Sequence, residues 1–222
     1  VAVESKKQID MDKQIRNIVF DFGGVIVDLG KERTLESFGA LGVDVSGFVG
    51  TYGQGGPFAG LETGETAPDV FCREVARLAV APGGQTEAPL SSERICEAWN
   101  RMLVRIPPRR LEALLRLRER YRLFLLSNTN SIHWDYAAAG EDFFGWNGHS
   151  PEDFFERIFL SYELHLLKPG EAIFRRLLDE AGLCPVETLF IDDSTANCAA
   201  AERLGLRVFC PKEADDWMPL FM

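Results

Sequence analysis

NIVFDFGGVIVD, residues Asn17 to Asp28, is the stretch on which the fold turns. Ile18, Val19 and Phe20 form a short apolar run of β-type residues, the pattern of a buried strand. Asp21 ends the run, and Gly23 and Gly24 follow where a tight turn needs residues without a Cβ. Val25, Ile26 and Val27 then resume the apolar character. A carboxylate at the C-terminal tip of a buried strand lies where open α/β sheets place their ligands. Glycines beside it let backbone N–H groups, that of Gly24 among them, approach an anion closely. Taken alone, the same stretch would also serve as a strand, a solvated aspartate and an ordinary turn.

Working outward, two more apolar runs end in polar residues. RLFLL, Arg122 to Leu126, runs into Ser127 and Asn128, and TLFI, Thr188 to Ile191, into Asp192 and Asp193. Shorter strand patterns cover Arg157 to Ser161 and Arg207 to Cys210. Helical periodicity fills Arg109 to Tyr121, Ala172 to Ala181 before Gly182, and Thr195 to Leu204 before Gly205. This alternation implies an α/β fold, a mostly parallel sheet covered by helices on both faces. In such a sheet the three polar tips share one edge. Asp21, Asp192 and Asp193 would repel one another there, so a cation is their natural partner. Oxygen ligands and few of them suit Mg²⁺ better than zinc. Lys168, followed by Pro169 just before a helix, can add a positive charge facing a phosphate.

Between the first and second tips the pattern changes. Lys31 to Leu41, a helix started by Thr66 as a cap, and Ser91 to Val104 read as amphipathic helices. Ala79 to Pro89 breaks the pattern, and no strand is convincing between 31 and 105, which therefore reads as an inserted helical unit. GTYGQGGPFAG, Gly50 to Gly60, lacks the lysine of a P-loop and reads as a connection rather than a binding loop. His133 to Asp153 reads as irregular. Its aromatics Trp134, Tyr136, Phe143, Phe144 and Trp146 suit packing. His133 and His149 can titrate near neutrality, and His133 is a candidate stand-in proton donor. The Arg–Leu alternation from Arg105 to Arg122 reads as a solvated helix face.

A net charge of -10 over 222 residues argues against nucleic acid, since nothing here would neutralise phosphates along a duplex. The 46% hydrophobic content is enough for a sizeable core. Five widely spaced cysteines form neither a disulfide framework nor a zinc site, and no apolar run approaches a membrane span. With no apolar leader visible, the expected location is cytoplasmic, with residues 1–14 a flexible extension and the chain a monomer or homodimer.

At this point the chain resembles the haloacid dehalogenase (HAD) superfamily, over about residues 17 to 212. FDFGGVIVD, LLSNTN, the lysine of LKP, and FIDDSTAN match its four motifs in order. The pairing looks most like the branch of glucose-1-phosphate phosphatase-like proteins and epoxide hydrolase N-terminal domains. The resemblance implies a Rossmann-like core domain at 15–30 and 106–222 and a small α-helical cap at 31–105. It implies a Mg²⁺-dependent phosphatase acting on a small phosphorylated metabolite. Asp21 would be the nucleophile, forming an aspartyl-phosphate, and Lys168 would offset charge on it. Ser127 and Asn128 would hold phosphate oxygens. Asp21, Asp193 and the Gly23 carbonyl would bind the metal, with Asp192 a neighbouring or water-mediated ligand and Asn197 orienting the residues behind them.

One departure matters. Most members carry a second Asp two residues after the nucleophile, which protonates the leaving group; here it is Gly23. Such help is worth on the order of 10²–10⁴ in rate. Its loss favours a less basic leaving group, such as that of a sugar 1-phosphate. The alternatives are a 2-haloacid dehalogenase, which gains nothing from the Asp192–Asp193 pair, and a binding protein that kept the crevice and lost turnover.

Overall fold

The computed structural model describes residues 15–50, 53–79, 90–214 and 217–221. The strands are β1 (Asn17–Phe20), β2 (Asp28–Leu29), β3 (Leu103–Arg105), β4 (Arg122–Ser127), β5 (Arg157–Leu160), β6 (Thr188–Ile191) and β7 (Arg207–Phe209). Five of them form one parallel sheet in the order β5-β4-β1-β6-β7. The chain leaves β1 for one side and returns to the other, so β1 lies at the point where strand order reverses. That is where open α/β sheets hold ligands. The expected α/β class and parallel sheet are borne out.

Both faces of the sheet are buried, which is why its strands are apolar without alternation. Ile18, Phe20, Leu123, Leu125, Leu189 and Ile191 face one layer, packed under the helix Pro108–Arg118. Val19, Phe124, Leu126 and Phe190 face the other, under the helices Glu171–Ala181 and Thr195–Arg203. Each such side chain, removed from water, contributes about 1.5–3 kcal/mol. Gly182 closes its helix in the left-handed conformation, φ 62°, as a glycine cap should. Trp217, fully buried, packs edge-on against Phe20 and donates its indole N–H to the Val25 carbonyl at 3.3 Å.

The helices Lys31–Ala40, Gly56–Glu62, Pro68–Arg77 and Ser92–Asn100 close around an apolar cluster of their own. Phe58 is its centre, touching the rings of Phe38, Phe71 and Trp99. Several details differ from the sequence reading. Leu103–Arg105 is a strand, not the end of a helix: β3 pairs antiparallel with β2 where the chain leaves and re-enters the α/β layers. Strands of two and three residues carry too little pattern to read. Thr66 caps nothing; Ala67 is the N-cap of the helix that starts at Pro68, and no side chain bonds there. Arg110 is not on a solvated face. It is buried, donating to the Ile26 carbonyl at 3.0 Å and to Asp28 at 2.7 Å.

The 133–153 stretch is not irregular: Ser131–Ala139 and Pro151–Phe154 are helices. Asn130 caps the first by accepting the His133 N–H at 3.1 Å. Trp134, Phe143, Phe144 and Trp146 do pack into the core, whereas Tyr136 is exposed. The expected break over 79–89 falls, apart from Ala79, outside the described residues, as does the expected extension at 1–14. Among the described residues no helix is long and apolar enough to cross a membrane.

Candidate active site

Strand register builds the site. Phe20 of β1 pairs with Leu125 of β4 on one side and Ile191 of β6 on the other, so Asp21, Ser127 and Asp192 emerge together. The Asp21 N–H still donates to the Ile191 carbonyl at 2.8 Å, fixing the start of the turn. Asp21, Asp192 and Asp193 each bring a carboxylate oxygen within 4.8 Å of the others. Lys168 Nζ lies 2.8 Å from Asp21 Oδ1, 2.7 Å from Asp192 Oδ2 and 2.9 Å from the Leu126 carbonyl. Three acceptors thus meet the three protons of one ammonium.

Each partner is held in turn. Asn197 Nδ2 donates to both oxygens of Asp192 at 3.0 Å, and the Ser194 N–H donates to Oδ1 at 2.9 Å. The Asn128 amide clamps the Lys168 backbone, Nδ2 donating to its carbonyl and Oδ1 accepting its N–H, both at 2.9 Å. One lysine faces three carboxylates, and the electrostatics record the imbalance. Burial pushes the Asp21 carboxyl up to about 7; Lys168 opposes this, and Asp192 and Asp193 add to it. Burial and Asp192 push Asp193 up to about 6, with Lys168 again opposing. Burial works against the Lys168 charge, but Asp192 and Asp21 overcome it and hold the ammonium above its usual range. Buried carboxylates in this state gain from a divalent cation, and an all-oxygen donor set fits Mg²⁺.

Gly24 shows how tightly the turn is built. Its φ is +73°, and a Cβ there would stand 2.5 Å from Asp193 Oδ2. Its N–H, however, is donated to the Val27 carbonyl at 2.9 Å. That corrects the expectation of an anion-binding N–H: Gly24 serves the site by making room for Asp193.

Asp21, Gly23, Ser127, Asn128, Lys168, Asp193 and Asn197 line one cavity, while Asp192 sits behind it, fully buried. Gly50, Gln54, Glu62, Trp99 and Met102, from the stretch between β2 and β3, line the same cavity. The glycine-rich stretch therefore lines the cavity and is not a bystander. Glu62 is the residue that sequence reading missed; its one signal is a lone carboxylate ending an otherwise apolar helix, GPFAGLE. His133 also lines the cavity, but its one ring proton is engaged away from a substrate. Burial lowers its pKa to about 4, so the ring is neutral. Its Nε2 lies 3.0 Å from the Trp99 carbonyl, which can only accept, and its Nδ1 lies 3.3 Å from the Asn130 amide. The ring stacks on Trp99, centroids 4.3 Å apart, and joins two helices.

Residues 15–205 match the family of haloacid dehalogenase-like hydrolases. The chain belongs to that family. It is 34% identical to a D-ribitol-5-phosphate phosphatase from Bacteroides thetaiotaomicron over 91% of this chain and 95% of that protein. A HAD family enzyme from the same organism, crystallised with magnesium and inorganic phosphate, is 38% identical. It covers 94% of this chain and 100% of its own, with a TM-score of 0.83. A predicted HAD-like hydrolase from Porphyromonas gingivalis is 36% identical, over 93% of this chain and 95% of that one, at a TM-score of 0.82. The haloacid dehalogenase-like resemblance read from the four motifs is thus borne out, and the protein is a hydrolase of that family.

Proposed function

We propose that this hydrolase is a Mg²⁺-dependent phosphatase that cleaves a small phosphorylated metabolite through an aspartyl-phosphate on Asp21. The observation that carries the reading is the buried cluster of Asp21, Lys168, Asp192 and Asp193, with three carboxylate oxygens within 4.8 Å and one lysine between them. Phosphoryl transfer spreads negative charge over three equatorial oxygens, so catalysis is chiefly positioning and charge compensation.

Asp21 attacks phosphorus, splitting hydrolysis into two steps. Lys168, locked by Asp192 and Asn128, neutralises the incoming phosphate on one side. The Ser127 hydroxyl and the Asn128 backbone hold its oxygens. Asp21, Asp193 and the Gly23 carbonyl hold Mg²⁺, which when bound supplies the charge that lets a carboxylate approach a dianion. Asp192 and Asn197 act from behind by fixing Lys168 and the strand tip. Residues 31–105 act as a cap domain over the α/β domain of 15–30 and 106–222, excluding water and polymers from the crevice.

The 34% identical D-ribitol-5-phosphate phosphatase favours an open-chain polyol phosphate as substrate. Gly23 favours the second reading, a sugar 1-phosphate with its less basic leaving group. Orthophosphate release from ribitol 5-phosphate, hexose 1-phosphates and hexose 6-phosphates, with Mg²⁺ and with a chelator, separates them. We expect Mg²⁺-dependent release, fastest on the pentitol phosphate and abolished in Asp21→Asn. No release from any ester, or halide release from a 2-haloacid without Mg²⁺, would overturn the reading.

A further inference from the structure

We propose that Glu62 is the acid–base residue of this site, supplying from the helical insert the carboxyl group that position 23 lacks. The inference rests on the phosphatase reading above. Glu62 ends the helix Gly56–Glu62, is buried, and lines the same cavity as Asp21, Ser127 and Lys168.

The backbone around Glu62 is tied to the strand tips. Its carbonyl accepts from the Ser161 hydroxyl at 2.7 Å, and that hydroxyl oxygen accepts the Thr129 N–H at 3.0 Å, just beyond β4. The next carbonyl, of Thr63, lies 2.8 Å from His165 Nδ1. The carboxyl is steadied by the Gln54 side chain, whose own Oε1 accepts the Gly50 N–H at 3.2 Å. Among the described residues no cation forms an ion pair with Glu62; Lys168 acts on it from across the cavity.

Burial pushes the Glu62 carboxyl up to about 7, against the pull of Gln54 and Lys168. A carboxyl in that range can both give and take a proton at neutral pH. In the first step an Asp21 oxygen bonds to phosphorus and the ester P–O bond breaks. The departing oxygen takes the Glu62 proton, giving a free alcohol and a Glu62 carboxylate. In the second, Glu62 takes a proton from water as the water oxygen bonds to phosphorus. The acyl-phosphate P–O bond breaks, releasing hydrogen phosphate and restoring both the Asp21 carboxylate and the protonated Glu62. With this donor in place, Gly23 no longer confines the enzyme to weakly basic leaving groups.

The test compares two leaving groups on the full chain with Mg²⁺, ribitol 5-phosphate and p-nitrophenyl phosphate. Glu62→Gln keeps the volume and the Gln54 contact. It should lower kcat/KM on the alkyl ester by about 10²–10⁴-fold. On the aryl ester, whose phenolate leaves unaided, kcat/KM, which reads only phosphorylation of Asp21, should change by less than about threefold, while kcat falls on both esters because they share the water attack that Glu62 assists. Glu62→Asp, with the carboxyl drawn back, should lose less on the alkyl ester, and carries the comparison if the Gln variant fails to fold. Equal loss of kcat/KM on both esters, or no loss of kcat/KM on the alkyl ester, overturns the assignment. A wild-type chain inactive on both would instead sink the phosphatase reading, and this inference with it.

Discussion

Replacing Gly24 by Ala perturbs the site through a single methyl group. Two costs can be separated. At φ +73° an alanine is in the left-handed region, which costs about 1–2 kcal/mol. The second cost is specific. The new Cβ would stand 2.5 Å from Asp193 Oδ2 and 3.1 Å from its Cγ, whereas unstrained contacts begin near about 3.5 Å. The carboxylate must retreat by about 1 Å. Mg²⁺ demands near-ideal octahedral ligands at about 2.0–2.1 Å, so a shift of that size harms the ion's site more than the fold.

Gly182→Ala is the control: φ is +62° and nothing lies within 4 Å of its Cβ, so only the backbone cost applies. Urea unfolding without metal should show both variants destabilised, Gly24→Ala by about 1 kcal/mol more. Calorimetric Mg²⁺ titration should show binding weakened about 10–100-fold in Gly24→Ala and unchanged in Gly182→Ala. If the two variants lost equal stability and Gly24→Ala bound Mg²⁺ as the wild type does, the reasoning from Asp193 would be refuted.

Lys168→Met leaves two buried carboxylates without their cation, so unfolding experiments should show a loss of about 3–5 kcal/mol, with phosphatase turnover abolished. Stability of the metal-free protein should fall as pH rises from about 4 to about 7. Burial raises the Asp21, Glu62 and Asp193 carboxyls in the folded state and lowers His133, a single opposing group, so across that window the folded chain on balance binds more protons than the unfolded one. Each tenfold gain in a carboxyl's proton affinity on folding corresponds to about 1.4 kcal/mol, and urea unfolding at pH 5.5 and pH 8 reads it directly. Saturating Mg²⁺ should remove the Asp21 share. Arg110→Gln should cost about 1–3 kcal/mol in thermal unfolding, because it strips a buried donor from the Ile26 carbonyl and from Asp28.

The parts of the fold that could be read in advance are those in which chemistry changes abruptly along the chain. Ile18 to Phe20 and Thr188 to Ile191 are apolar on both faces and stop at aspartates, so strand, tip and edge follow from local pattern. The helix Ser131–Ala139 was hidden because Ile132, Trp134, Tyr136 and three alanines spread apolar character around it and leave no polar face to mark a period. Asp28 and Leu29 form too short a strand to show alternation. Glu62 was hidden for a different reason. That it lines one cavity with Lys168 depends on how a helix in the insert docks onto Ser161, about a hundred residues further on. Asn128 was legible as turn chemistry, but not as the amide that grips the Lys168 backbone.

The manner in which the insert is fastened has one more consequence. A door hung on a single edge can swing wide; an arch footed at both ends can only flex along its span. Here the feet are the β2–β3 pair with its Arg110 rivet and the contact of Glu62 and Thr63 with Ser161 and His165, with the stack of Trp99 on His133 as a pier between the helices. Were the insert to stay on these supports through a turnover, the width of the opening, rather than a hinge, would set the largest ester cleaved.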